Sequence, residues 1–131
     1  MKRIRWWWIL LGGALAEFAT LALIMLLRLA DGKNPLASDV QLSAVARSAF
    51  LVGVFGLLLF FAWAVARKAT NRAILHGLLV GVVAIVTYEL LTIGLPIPLT
   101  WSYVFVHALK LLGGVTGGYM AARRVPKSIA A

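Results

Sequence analysis

The chain has 131 residues, of which 63% are hydrophobic and 13% charged, and its formal net charge is +9. Soluble domains carry roughly 45–50% apolar and about 25% charged residues, so this composition excludes an ordinary soluble domain and predicts a single membrane domain over residues 1–131. The chain has no cysteine, which excludes disulfides, thiolate metal sites and cysteine nucleophiles. It also lacks the common nucleotide-binding, zinc-protease and serine-hydrolase motifs, so we expect no enzymatic activity, cofactor or metal site.

The first predicted transmembrane helix covers residues 6–27, which is about the length that crosses a bilayer. Its only charged residue is Glu17. At about 100° per residue, Gly13, Ala16, Glu17 and Thr20 fall on one face of this helix. We therefore expect Glu17 to face other helices and not lipid.

The second and third predicted spans cover residues 48–66 and 73–95. In the loop before the second span, Ser38 followed by Gln41 resembles a capping box, which predicts that the helix begins near Asp39, outside the membrane. The third span contains His76 near its start and Glu89 near its end. Its small residues share one face, with Glu89 at the edge of that face; the glycines among them are Gly77 and Gly81. Two prolines within 96–100 predict a short, stiff turn to the fourth span.

The fourth predicted span covers residues 101–122 and contains His107 and Lys110. Both lie on the same broad face as four glycines, which form two overlapping GxxxG spacings. These glycines are Gly113, Gly114, Gly117 and Gly118. Small residues at this spacing let another helix approach closely, so Lys110 is predicted to lie on a packed face.

The distribution of charge predicts the topology. Nine cations fall on one side of a four-span arrangement without any acidic residue: Lys2, Arg3, Arg5, Arg67, Lys68, Arg72, Arg123, Arg124 and Lys127. This positive-inside bias predicts that both termini are cytoplasmic, in the cytoplasmic membrane of a bacterium. The spans are predicted to form two hairpins, whose similar plan would make any internal repeat a parallel one. The charge bias also explains the net charge without a nucleic-acid partner. Four tryptophans are predicted to anchor the helix ends at the membrane interface. They are Trp6, Trp7, Trp8 and Trp101.

Counting residues from the span ends gives the depth of each ionisable group at about 1.5 Å per residue. Glu17 and Lys110 both fall near mid-membrane, whereas Glu89 and His107 share a shallower position near the non-cytoplasmic side. A lone charge at the membrane centre costs about 2.5–3.5 kcal/mol on insertion scales, so we expect Glu17 to pair with Lys110 and Glu89 to lie near His107. The cluster is either a binding or transport site or a set of assembly contacts.

Three resemblances bear on function. The segment "LGGALAE" (11–17) resembles the first helix of the small multidrug resistance transporters, which implies that Glu17 is a proton- and drug-coupling residue. The two basic-ended hairpins are similar in arrangement to the GtrA-like membrane proteins, which are implicated in moving lipid-linked sugars. With "HG…G" in the third span and "GG…GG…ARR" in the fourth, the chain also resembles small uncharacterised bacterial four-span membrane proteins.

The sequence therefore predicts an all-α bundle of four transmembrane helices in contact with lipid. Its favoured role is that of an accessory or structural subunit of a larger membrane complex. The alternative is a small ion- or proton-coupled transporter, or a flippase-like protein for a lipid-linked substrate, that forms a homo-oligomer. In either case, other membrane subunits or further copies of the chain are the expected partners.

Overall fold

The structure is a computed structural model that describes residues 5–36, 41–69, 72–95 and 100–124. It contains four helices: α1 (Trp6–Ala30), α2 (Ala44–Ala66), α3 (Ala73–Leu91) and α4 (Trp101–Arg123). All four are long and apolar enough to cross a membrane. The prediction of an all-α chain with four candidate transmembrane helices is thus confirmed.

The start of α2 differs from the prediction. Residues 41–43 are not helical, so a helix that begins near Asp39 is wrong; Ser38 and Asp39 themselves lie outside the described residues. The cap is Ser43, whose side chain accepts a hydrogen bond from the backbone N–H of Ala46. Asp31, directly after α1, accepts hydrogen bonds from both the backbone N–H (2.8 Å) and the hydroxyl (2.9 Å) of Ser43. This tertiary contact fixes Ser43 as the residue that precedes the helix.

The ends of α1 and α3 also differ from the hydropathy limits. Helix α1 continues to Ala30, beyond the predicted limit at residue 27, whereas α3 ends at Leu91 and not at Leu95. Beyond α3 the chain turns through Gly94, which has a φ of 83° that favours glycine. The predicted stiff turn at 96–100 lies almost entirely outside the described residues.

The four helices pack with α1 and α4 on opposite sides of α2 and α3. Every pair of helices has Cα atoms within 8 Å of each other except α1 and α4. Helices α2 and α3 contact each other and both remaining helices. Only long side chains can therefore join α1 to α4.

The glycines of α4 allow its close contact with α2. A Cβ atom at Gly113 would lie 2.9 Å from the carbonyl oxygen of Phe55, and one at Gly117 would lie 2.8 Å from the backbone nitrogen of Trp63. Both distances are shorter than a side chain tolerates. The first GxxxG spacing of α4 is thus filled by the backbone of α2.

The second GxxxG spacing of α4 faces α3. A Cβ atom at Gly114 would lie 2.6 Å from the carbonyl oxygen of Gly77, and one at Gly118 would lie 2.7 Å from the carbonyl oxygen of Ala73. On the α3 side, a Cβ atom at Gly81 would lie 2.9 Å from the carbonyl oxygen of Lys110. In each pair of adjacent glycines, the first therefore allows close contact with α2 and the second allows close contact with α3.

The outward faces of the helices are apolar. Large hydrophobic side chains such as Val52, Phe60, Phe105 and Leu112 are more than half exposed. The interior is small and consists of residues such as Ile9, Val54, Leu58 and Val80. An apolar exterior around a small core fits a protein whose helices contact lipid.

Candidate functional site

Glu17 lies on the buried face of α1. Gly13, Ala16, Glu17 and Thr20 are all buried, and Thr20 donates a hydrogen bond from its hydroxyl to the carbonyl of Ala16 (2.9 Å). A Cβ atom at Gly13 would lie 2.5 Å from the side chain of Val83, so α3 packs directly against this face. The small residue one turn before Glu17 thus lets α3 cover the carboxylate and exclude lipid.

Lys110 reaches the same place from the opposite helix. It is the largest fully buried side chain among the described residues. Its Nζ donates a hydrogen bond to Oε2 of Glu17 at 2.6 Å, and both side chains are 1% exposed. The backbones of α1 and α4 do not meet, so these two long side chains join helices that otherwise stay apart. Burial costs each ion several kcal/mol, and mutual attraction offsets much of that cost.

The ion pair keeps unused hydrogen-bonding capacity. Oε1 of Glu17 is buried and has no hydrogen-bond partner among the described residues. A lysine ammonium has three donors, and Nζ of Lys110 has one hydrogen bond in the described part of the chain. It also lies 4.7 Å from the centroid of the Tyr88 ring, a cation–π contact. The pair can therefore accept and donate further hydrogen bonds.

A second polar cluster lies one turn nearer the start of α4. Oε1 of Glu89 accepts a hydrogen bond from the hydroxyl of Tyr103 and lies 3.2 Å from Nε2 of His107. The His107 ring packs edge-on against Tyr103 and Tyr88, with centroids 4.3 Å and 5.4 Å away. The Glu89 side chain is 48% exposed, whereas that of His107 is 15% exposed. The structure thus brings Glu89 and His107 together at the surface end of the site.

A cavity of about 300 Å³ connects these two levels. Thr100 and Ser102 line it at the start of α4, followed by Tyr103 and His107, and it reaches Glu17 and Lys110. Apolar side chains of α1, α2 and α4 form much of the remaining wall, including Leu21, Ile24, Phe50 and Val106. Nδ1 of His107 is also buried without a hydrogen-bond partner in the described chain. Mostly apolar walls with a few placed polar groups are typical of small-ligand sites.

His76 lies apart from this cluster, near the start of α3. It is 4% exposed, and its Nδ1 lies 3.0 Å from the carbonyl oxygen of Arg72 in the preceding turn. That contact is a local hydrogen bond to the residue four positions earlier. No group of three or more potential metal-ligating side chains occurs among the described residues.

The tryptophans predicted as anchors lie at helix ends and are exposed. Trp7 is 71% and Trp101 is 89% exposed. Trp8 receives Nζ of Lys68 over its ring at 3.4 Å. This contact brings the start of α1 and the end of α2 to the same end of the bundle.

Sequence reasoning missed the roles of two tyrosines. Tyr103 precedes His107 by four residues, a spacing that places both on one helix face and could have identified it as a neighbour. Tyr88 directly precedes Glu89 in α3, and its ring contacts both His107 and Lys110. The cavity had no sequence signal, because it is the space left between side chains of all four helices.

No family model, curated protein or solved structure matches this chain. The structure itself shows an all-α protein with four helices that could cross a membrane. Within them, Glu17 of α1 and both His107 and Lys110 of α4 line one cavity, and Glu89 of α3 contacts His107.

Proposed function

We propose that this chain is a multi-pass membrane protein that binds a small polar solute or a polar headgroup in the cavity that ends at Glu17 and Lys110. One observation carries the proposal: a fully buried ion pair closes the cavity, while one of its carboxylate oxygens has no hydrogen-bond partner among the described residues. A pair that served only to hold helices together would gain from complete satisfaction of its polar atoms. An unused acceptor at the end of an open cavity is better explained by a ligand.

The charges favour a ligand with zero net charge. Glu17 and Lys110 together are neutral, so a neutral or zwitterionic ligand adds no excess charge inside the membrane. Such a ligand can donate to Oε1 of Glu17 and accept from Nζ of Lys110. The apolar wall accommodates a hydrocarbon portion. Amino acids and ethanolamine-type headgroups have this chemistry.

The orientation of the chain follows from its cations. Lys68 on Trp8, and Arg67 and Arg124 on Trp63, gather positive charge at one end of the bundle, whereas Thr100 and Ser102 line the cavity at the other. By the positive-inside rule, the cationic end faces the cytoplasm of a bacterial cell. The ligand then enters from the outer side. A chain of this size transports solutes as a homo-oligomer.

The test compares wild type with the double variant E17Q/K110M, which keeps the size of both side chains but removes the ion pair. Native mass spectrometry of gently extracted protein reports any bound small molecule. Thermal-shift measurements with zwitterionic amino acids and phosphoethanolamine provide a defined probe. Lys33→Met removes a loop lysine outside the cavity and is the matched control.

We expect wild type and the Lys33→Met control to retain or bind a ligand without net charge, and the folded double variant to lose it. Uptake by proteoliposomes then distinguishes transport from binding alone. If none of the proteins carries a ligand and no zwitterion stabilises wild type, the proposal is wrong. It is equally wrong if the double variant binds as wild type does.

A second candidate function is that of an accessory subunit in a membrane complex. The glycine faces of α3 and α4 are filled within the chain and offer no docking surface. The observation that favours a partner is Gly56 in the exposed middle of α2, where nothing lies within 4 Å of a Cβ position. The same mass spectra test this function, since a stoichiometric partner lost in Gly56→Leu would support it.

A further inference from the structure

A second cavity lies at the opposite end of the bundle, where α2 and α4 end. It has a volume of about 280 Å³ and is lined by Trp63, Arg67, Ala121 and Arg124. The guanidinium carbon of Arg67 lies 4.8 Å from the centroid of the Trp63 ring, and that of Arg124 lies 5.6 Å from it. Two cations from different helices thus converge on one indole.

No carboxylate side chain pairs with these arginines among the residues that the structure describes. The chain contains four acidic residues in all. Glu17 and Glu89 are engaged in the other cavity region, and Asp31 bonds Ser43 at the start of α2. Asp39 precedes α2 in the sequence, while Trp63 lies near the end of α2, about 30 Å away along the helix from its first residue. In the described part of the chain, neither Arg67 nor Arg124 pairs with a carboxylate, so both are open to an anion from another molecule.

The indole supplies a further observation. Nε1 of Trp63 is buried and has no hydrogen-bond partner in the described part of the chain. A tryptophan N–H can only donate, and so can a guanidinium. Three donor groups therefore line one cavity in which the described residues offer no side-chain acceptor. Buried donors without partners are uncommon in folded proteins, so an acceptor with several oxygens is the expected complement.

We infer that this cavity, which we call the Trp63 notch, is a specific binding site for a phosphate group, and that the phosphate belongs to the headgroup of an anionic lipid. Arginine binds phosphate through paired N–H···O bonds, and the oxygens left over can accept from the indole. The notch lies at the cationic end of the helices, at the depth of the headgroups. Free phosphate has the same chemistry and is the other possible source. The inference is independent of the solute-binding cavity.

The experiment measures lipid binding by wild type and two charge-matched double variants in nanodiscs of phosphatidylcholine with added phosphatidylglycerol. Arg67→Gln with Arg124→Gln removes both cations of the notch. Lys68→Gln with Arg123→Gln removes two cations at the same end that lie over other rings, those of Trp8 and Tyr119. Both variants lose the same charge, so general attraction to an anionic surface falls equally. Native mass spectrometry counts the lipids that remain bound.

We expect the notch variant to bind phosphatidylglycerol at least about tenfold more weakly than the charge-matched control, because charge-assisted hydrogen bonds are lost only in the notch. Trp63→Phe keeps an aromatic ring but removes the N–H, and a several-fold loss is expected. A separate titration with inorganic phosphate identifies the source. Displacement of the lipid by millimolar phosphate would assign the site to the free ion and overturn the lipid assignment. Equal lipid binding by the two double variants would overturn the site altogether.

Discussion

The two halves of α4 pack in opposite ways. At its four glycines between residues 113 and 118, the backbone lies against α2 and α3 with no room for a Cβ atom. From Trp101 to Lys110 the same helix carries large polar side chains and borders a cavity of about 300 Å³. The comparison shows how one helix can fix a bundle at one end and hold it open at the other. In the proposed function, the tight half supplies the rigid support that a binding site needs, and the open half supplies the site.

The largest expected effect comes from removing only one partner of the Glu17–Lys110 ion pair in the open half of α4. Lys110→Met leaves the carboxylate of Glu17 buried without its partner, which we expect to lower the free energy of unfolding by about 3–5 kcal/mol. Adding Glu17→Gln removes the lone charge and should restore most of the loss. Unfolding in mixed detergent micelles measures both variants. Equal destabilisation by the single and double variants would contradict a direct charge pair.

The next effect comes from the tight half. In Gly77→Ala, the new methyl group would meet the backbone of Gly114 and Gly118, and we expect a loss of about 1–3 kcal/mol because backbone atoms must shift. Gly56→Ala is the matched control, since that site is open. Alanine favours helix there by about 0.5–1 kcal/mol, so this control should be neutral or stabilising. The same unfolding assay applies, and similar results for both variants would argue against close packing of α3 on α4.

A smaller effect is expected at the exposed polar cluster. Glu89→Gln retains the shape of the side chain but weakens its bonds to Tyr103 and His107. Because this carboxylate is about half exposed, we expect a loss of at most about 1 kcal/mol. Unfolding measurements beside Glu17→Gln check the contrast between the two acids. If Glu89→Gln lowers the free energy of unfolding as much as Glu17→Gln does, then the difference in burial between the two acids does not determine their contribution to stability.

The smallest effect is expected outside the helices, at Asp31. Hydrogen bonds from the backbone and side chain of Ser43 lower the pKa of this carboxyl below its ordinary value of 3.8. Its contribution to stability is therefore complete above that value and is lost as the pH falls through the lower pKa of the folded state. We expect Asp31→Asn to remove this acid-dependent part of the unfolding curve and to destabilise less than Glu89→Gln. An unchanged pH profile would mean that the Ser43 contact does not persist in solution.

Hydropathy predicted the number of helices because each span needs a long apolar stretch, whatever its neighbours are. It placed the ends less well. Ser38 and Ser43 are both plausible caps, and only the bond from Ser43 to Asp31, a contact across the loop, selects the second. Hydropathy did not locate the end of α3 at Leu91, because the apolar stretch continues beyond it to Leu95.

The part of the site that depends on the depth of each residue in the membrane could be predicted from the sequence. Counting along two antiparallel spans places Glu17 and Lys110 at one level, and electrostatic cost then favours their contact. Counting residues along a span gives no information on how each helix is rotated about its own axis. The bond from Tyr103 to Glu89, the position of Tyr88 over Lys110 and the Trp63 notch all depend on such rotations.

The inward lysine of α4 has a consequence for biogenesis. The most apolar window of α4 has a mean hydropathy of 1.2, against 2.1, 2.5 and 2.1 for the three helices before it. If it left the translocon alone, α4 would expose Lys110 and the glycine-rich run of residues 113–118 to lipid. It is synthesised last of the four, when Glu17 and the glycine groove of α3 are already in the membrane. We therefore expect α4 to insert by docking onto its predecessors and not by partitioning, so that translation order itself becomes part of the folding pathway.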